Sequence, residues 1–339
     1  MSSICPAVRS AFVRRCPSNA WLLFGVLVAA VPLALAQSNT LNVSQTILAS
    51  ADNNGLSSPG AVAVSANGNV FIADTGNNRV VEEPWNRVNK MYGPQIIVIT
   101  NLVSPSSVVV GTSGNVYIAD SGNNRVIELP WNPSTSTYGP ETIVGSGLAN
   151  PRGVALAANG SVYIADTGNN RVVEVPWDHT SGTYGPQTTV GVGLFSPEGV
   201  AIGEEGKLYI VNSSNSTVVE IPAGCNALTV CTTQATVANE TNGLTAPNDL
   251  VVAADAKLYI TQPVNNQVIA LPWNRSTGAY GTQTTVGADL NGPKGVAVDA
   301  MGNLYIADTL NNRVLKIAQQ QSGNRRSGGR MSGGSRMPL

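Results

Sequence analysis

Between about residues 43 and 317 the chain is written in short apolar runs, each closed by Gly, Asn, Pro or Ser. One stretch shows the plan. Residues 153–156 (Gly-Val-Ala-Leu) and 162–166 (Val-Tyr-Ile-Ala-Asp) predict two strands, a and b, being short, apolar and rich in β-branched side chains. Thr167-Gly168-Asn169-Asn170 predicts the turn between b and c, because Gly and Asn tolerate positive φ. Residues 171–175 predict strand c and residues 187–190 strand d. Helical periodicity is absent beyond the first 36 residues.

The plan is repeated six times. The phrase Gly-Asn-Val-Tyr-Ile-Ala-Asp-x-Gly-Asn-Asn-Arg-Val recurs with its aspartate at Asp74, Asp120, Asp166 and Asp308, replaced by Asn212 and Gln262 in the remaining copies. Successive spacings are 46, 46, 46, 50 and 46, and Pro59, Pro105, Pro151, Pro197, Pro247 and Pro293 keep the same step. Such a period, with several short strands per copy, predicts an all-β, six-bladed propeller of four-stranded antiparallel blades. The sixth copy stops near Ile317 without a strand d, while residues 45–48 (Gln-Thr-Ile-Leu) resemble one. That N-terminal strand is expected to complete blade six, leaving no unpaired end blade.

These copies resemble NHL repeats over about residues 43–317, most specifically in Ala73-Asp74-Thr75-Gly76-Asn77-Asn78-Arg79-Val80. WD repeats fit less well, since Trp177-Asp178 is the single Trp-Asp pair. The resemblance implies a rigid disc with a central channel that binds a partner. The family includes sensor domains of bacterial membrane kinases, RNA- or protein-binding domains of eukaryotic regulators, and a few lyases. Fold does not choose among these.

Residues 1–36 have the form of a secretory signal peptide: Arg9, Arg14 and Arg15, an apolar run from Trp21 to Leu35, and the small-x-small site Ala34-Leu35-Ala36. A secreted or periplasmic protein is expected, with no membrane span after cleavage; an uncleaved anchor is the alternative, although the run falls short of the roughly 20 residues a span needs. No Cys follows the cleavage site, which speaks against a lipoprotein. The propeller then covers 37–317. Residues 318–339, rich in Gly, Ser and Arg, are expected to be a disordered tail.

Composition narrows the function. Charged residues make up 12%, about half the usual share. Residues 37–317 hold 12 basic and 20 acidic side chains, a net of −8, which argues against nucleic acid as the propeller's partner. A single His, His179, excludes any site that needs several imidazoles and leaves no three-histidine zinc centre. No phosphate loop is present.

Three recurring pairs look structural. The strand-b Asp and the strand-c Arg five residues on, Asp74/Arg79, Asp120/Arg125, Asp166/Arg171 and Asp308/Arg313, vanish together in blades four and five, as Asn212/Thr217 and Gln262/Gln267. Joint loss implies that each pair closes its own hairpin; a ligand-binding ring of arginines is the alternative. Trp85/Tyr92, Trp131/Tyr138, Trp177/Tyr184 and Trp273/Tyr280 are seven apart and suit an aromatic clamp across the c–d hairpin, with glycan-binding tryptophans as the alternative. Blade four lacks the clamp and carries Cys225 and Cys231 instead, which an oxidising compartment would join as a disulfide.

Blades four and five break the repeat on the face shared by b–c turns and d–a links. Asn212, Ser213, Asn215 and Thr217, the long link with Asn239 and Glu240, and Gln262, Asn265 and Gln267 are therefore the candidate binding residues. The expected function is a non-catalytic binding scaffold for a protein, peptide or glycan. No catalytic residue, cofactor or metal site is assigned. An oxygen-ligand Ca²⁺ site serving a lyase or lactonase is the alternative, although no carboxylate cluster in the sequence points to one.

Overall fold

The computed structural model describes residues 44–224 and 234–318. The expected signal peptide, the Cys225–Cys231 pair and the C-terminal tail lie outside the described residues. Six four-stranded antiparallel sheets form the blades. Blade one comprises Ala61–Val64, Val70–Asp74, Arg79–Glu83 and Ile96–Ile99, as strands a to d. Strand a of every blade touches strand a of both neighbours, and blade six meets blade one. In blade six, Gln45–Ser50 pairs antiparallel with Arg313–Ile317, with Gln45 opposite Ile317. The N-terminal strand thus closes the ring, two residues longer than the sequence pattern implied, and runs into a single helical turn, Ala51–Asn54.

Each core lies between two blades. Phe71 and Val80 of blade one pack with Val108, Ile118 and Leu129 of blade two, and five equivalent clusters complete the circle. A blade is therefore covered on both sheet faces. This is why strand b reads as an unbroken apolar run and is buried throughout in Val116–Asp120 and Leu304–Asp308.

Strand a begins earlier than the apolar pattern suggested, at the repeat proline: Pro151–Leu156 in blade three. Pro151 lies opposite Asp166, and the register slips before Gly153. A bulge is where a residue without an N–H can sit in a sheet. Gly153 serves a second purpose, since a Cβ there would come within 2.2 Å of the Glu198 carbonyl oxygen in blade four. Inner strands can approach this closely only without a side chain.

Among the described residues, four blades carry between strands c and d a two-stranded ribbon such as Trp177–Asp178 with Thr183–Tyr184. The Trp and Tyr rings of the four ribbons lie 4.8–4.9 Å apart, tilted or edge-on. The Tyr hydroxyl also reaches the preceding blade, as in Tyr92 to Tyr305 at 3.2 Å. Among the described residues no helix is long and apolar enough to cross a membrane.

Candidate functional site at the channel mouth

The face of turns and links is built by the repeated residues themselves. Buried Asp74 accepts Arg79 Nε at 2.6 Å through Oδ2 and the Ser57 N–H of the incoming link at 2.7 Å through Oδ1. Arg125–Asp120, Arg171–Asp166 and Arg313–Asp308 repeat the pair at 2.7, 2.6 and 2.7 Å, each within one hairpin. Two further positions tie blades one, two, three and six each to the next. Thr75 Oγ1 donates to the Pro105 carbonyl at 2.6 Å, and Asn78 Oδ1 accepts the Ser104 N–H at 2.8 Å. Blade six makes the same bonds to blade one, Thr309 to Pro59 at 2.8 Å and Ser58 to Asn312 at 2.7 Å. In blade five the turn opens with Pro263, which has no hydroxyl; Thr261 takes over and donates to the Lys294 carbonyl at 2.7 Å.

Inside this frame lies a cavity of about 390 Å³ at the mouth of the channel. The residues that follow the six repeat prolines all line it: Gly60, Ser106, Arg152, Glu198, Asn248 and Lys294. Their side chains differ in every blade, so a pseudo-symmetric frame presents an asymmetric site. Blades three to six supply the charged and amide groups. Blades one and two supply Gly60, Ser106 and Ser107, which leave room.

The charged half is a connected cluster. Glu198 lies 3.8 Å from Arg152 through Oε1 and accepts the Asn248 side-chain amide through Oε2. Burial pushes the Glu198 carboxyl above the usual carboxylate range, against the pull of Arg152, Lys294 and the Asn248 bond. Asp249 stands where blades three, four and six have glycine. Its Oδ2 accepts the Val296 N–H of blade six at 3.1 Å, much as Ser107 accepts the Val154 N–H of blade three at 3.3 Å. Burial raises the Asp249 carboxyl to about 7; N–H bonds from Val296 and Leu250 act against this, and the nearby Glu198 charge adds to it. Two carboxyl groups and two cations thus share one small opening, a setting typical of functional sites.

The NHL repeat family matches residues 56–82, 102–128, 148–174 and 290–317, the four blades that hold the Asp–Arg pair. The chain is an NHL-repeat protein. No curated protein matches it significantly. Among solved structures, the NHL propeller is similar to virginiamycin B lyase from Staphylococcus aureus at 13% identity and a TM-score of 0.56, over 82% of this chain and 99% of that one. A gluconolactonase from Xanthomonas campestris matches at 13% identity and TM-score 0.61, covering 83% and 91%. An aldose sugar dehydrogenase from Streptomyces coelicolor, in its PQQ-bound form, matches at 12% and 0.58, covering 81% and 98%. Likeness at such identity is likeness of fold.

The candidate residues of blades four and five fall outside the mouth lining of this NHL propeller. Two of them are parts of the frame. Asn212 Oδ1 accepts the Phe195 N–H at 2.6 Å and Gln262 Oε1 the Thr245 N–H at 2.7 Å, so both are buried and still hold their links after losing the arginine. Asn265 leans on Gln262 at 3.4 Å, Asn239 caps the short turn Glu240–Asn242, and Thr217 and Gln267 sit half-buried at the start of strand c. Ser213 is half-buried, while Asn215 and Glu240 are exposed on the rim. His179 lies in an outer hairpin with Nε2 2.9 Å from the Asn159 carbonyl. Glu198 and Asp249 come together across a blade boundary, 51 residues apart in the chain, a juxtaposition the sequence reading did not single out. The signal for Glu198 was the position after each repeat proline, where the residue changes in all six copies; the signal for Asp249 was the next position, where it replaces the glycine of blades three, four and six.

Proposed function

We propose that this is an exported, non-catalytic binding scaffold that takes a protein, peptide or glycan ligand at the channel mouth. The supporting observation is the convergence there of six different residues, one per blade, five with side chains and one a glycine, on a frame whose other repeated residues are engaged in holding the ring. Export is argued from the signal-like residues 1–36. Exposed Phe195, Val264 and Leu310 lie in links and turns of three consecutive blades on the same face, and give a macromolecular partner apolar surface on the face that carries the opening.

A calcium-dependent lyase or lactonase is the second reading, favoured by the raised carboxyl groups of Glu198 and Asp249. It stands second because those two share the mouth with Arg152 and Lys294. Among the described residues no three His, Cys, Asp or Glu side chains gather as metal ligands. Capture of the partner from host envelope extract tests the first reading. Glu198→Gln and Arg152→Ala should abolish capture, and Trp273→Ala, on an outer hairpin, should not. Capture indifferent to both mouth changes would refute it, and stoichiometric Ca²⁺ in the purified protein would move the assignment to the enzyme.

A further inference from the structure

The mouth is electrically lopsided. Of the twelve cations in residues 37–317, Arg152 and Lys294 are the two that line it. They stand three blades apart, on opposite sides of the opening, with Glu198 and Asp249 between them along one half of the ring. Arg152 has a single acidic neighbour there, at the long distance of 3.8 Å, and its side chain is 39% exposed. Among the described residues Lys294 forms no direct salt bridge, although its charge acts on the Glu198 carboxyl. A guanidinium with open donors and an ammonium free of any direct salt bridge both favour an anionic oxygen pair. The other half of the ring, Gly60, Ser104, Ser106 and Ser107, is uncharged and small. Ser106 donates to the Arg152 carbonyl at 2.9 Å, whereas Ser107 accepts from Val154 and keeps its proton to give. The vacant volume thus lies where Lys294, Arg152 and a serine hydroxyl can all reach.

The same face also carries exposed apolar side chains. Phe195, Val264 and Leu310, 54, 70 and 62% exposed, occupy links and turns of blades four, five and six. A sugar acid would leave these three uncovered, whereas a peptide with apolar residues beside an acidic group would cover them.

Resting on the mouth-binding reading above, we propose that the ligand is a peptide segment whose carboxylate enters the Gly60–Ser107 notch between Lys294 and Arg152. Its flanking apolar side chains lie on Phe195, Val264 and Leu310. The carboxylate belongs either to an acidic side chain or to a chain terminus, and both present the same two oxygens.

The test titrates the mature protein, at low and at physiological salt, with four probes. These are acetyl-Ala-Leu-Glu-Leu-Ala-amide, its Gln counterpart with an amide end, the Gln peptide with a free C-terminal acid, and glucuronic acid. At least one of the two carboxylate peptides should bind ten-fold or more tightly than the neutral one, and the arm that binds identifies the source of the carboxylate. Affinity should fall with salt. Lys294→Gln and Arg152→Gln should each weaken it about ten-fold, and Phe195→Ser less, with unchanged melting temperatures showing that the variants fold. Equal binding of the neutral peptide, preference for glucuronic acid, no binding by any probe, or indifference to Lys294→Gln would overturn the proposal. If capture of the native partner still depends on Glu198 while carboxylate peptides fail to compete, this inference falls and the mouth-binding reading stands. Capture that ignores every mouth change removes the mouth-binding reading itself.

Discussion

Asp249 makes the stability of the ring depend on pH in an unusual direction, and Asp249→Asn isolates the effect. Its carboxyl titrates near 7 in the folded chain against 3.8 in an unperturbed setting. Folded protein therefore holds a proton between about pH 4 and pH 7 that unfolded chain has released, and stability must fall as pH rises through that window. Below it both states are protonated and the penalty is absent; above it the penalty is complete. Each unit of difference corresponds to about 1.4 kcal/mol, so three units set a ceiling of about 4 kcal/mol. Asp249 is half-buried and in contact with the opening, which brings the expected value to about 2–4 kcal/mol after allowance for solvent screening. The asparagine can still accept the Val296 N–H and cannot ionise. Denaturant unfolding of both proteins at pH 4, 5.5, 7 and 8 should give equal stabilities at pH 4, with the variant ahead by about 2–4 kcal/mol at pH 8. In a thermal scan this is on the order of 5–10 °C. Glu198 is raised as well and interacts with Asp249, so the slope belongs to the pair. Parallel curves at all four pH values, or a wild type that gains on the variant toward pH 8, would show that Asp249 is not held against its charge.

Removing residues 37–50 should lower the melting temperature far more than removing 319–339, because Gln45–Ser50 is a paired strand of blade six; equal losses would refute closure by that strand. Arg171→Ala leaves the fully buried Asp166 carboxylate without its cation and should cost about 3 kcal/mol. In a double-mutant cycle, Asp166 and Arg171 should couple while Asp166 and Thr217 add independently, and coupling to blade four would contradict the hairpin assignment. Gly199→Ala places a Cβ 2.7 Å from the Asp249 backbone and should destabilise the ring by about 1–3 kcal/mol, as urea melts would measure; a neutral result would mean that the inner strands can part.

The blades, their four strands and the closing strand were legible because each rests on local chemistry written six times. An apolar run of five residues specifies strand b wherever it stands, and Thr-Gly-Asn-Asn specifies its turn. The Asp–Arg pairing was legible for a related reason: two residues five apart that disappear together in blades four and five must serve each other. What the loss meant was not legible. Asn212 and Gln262 looked like a binding face released from the repeat, yet each still anchors a link through a backbone N–H 17 residues upstream in the chain. That partner is set by how the link crosses the turn.

The mouth lay further still from what local pattern can express. Arg152, Glu198, Asn248 and Lys294 stand on four different blades, 46 to 50 residues apart, and each alone looks like a solvated residue at the start of a strand. Ring closure turns that position of every blade, and Asp249 beside it, toward a common axis, where burial raises two carboxyl groups. The sequence by itself determined the repeat, because strand, turn and hairpin lock are interactions between near neighbours. Only the tertiary structure decided the site, because its charges interact through space across blades, and their desolvation exists only once the ring is shut.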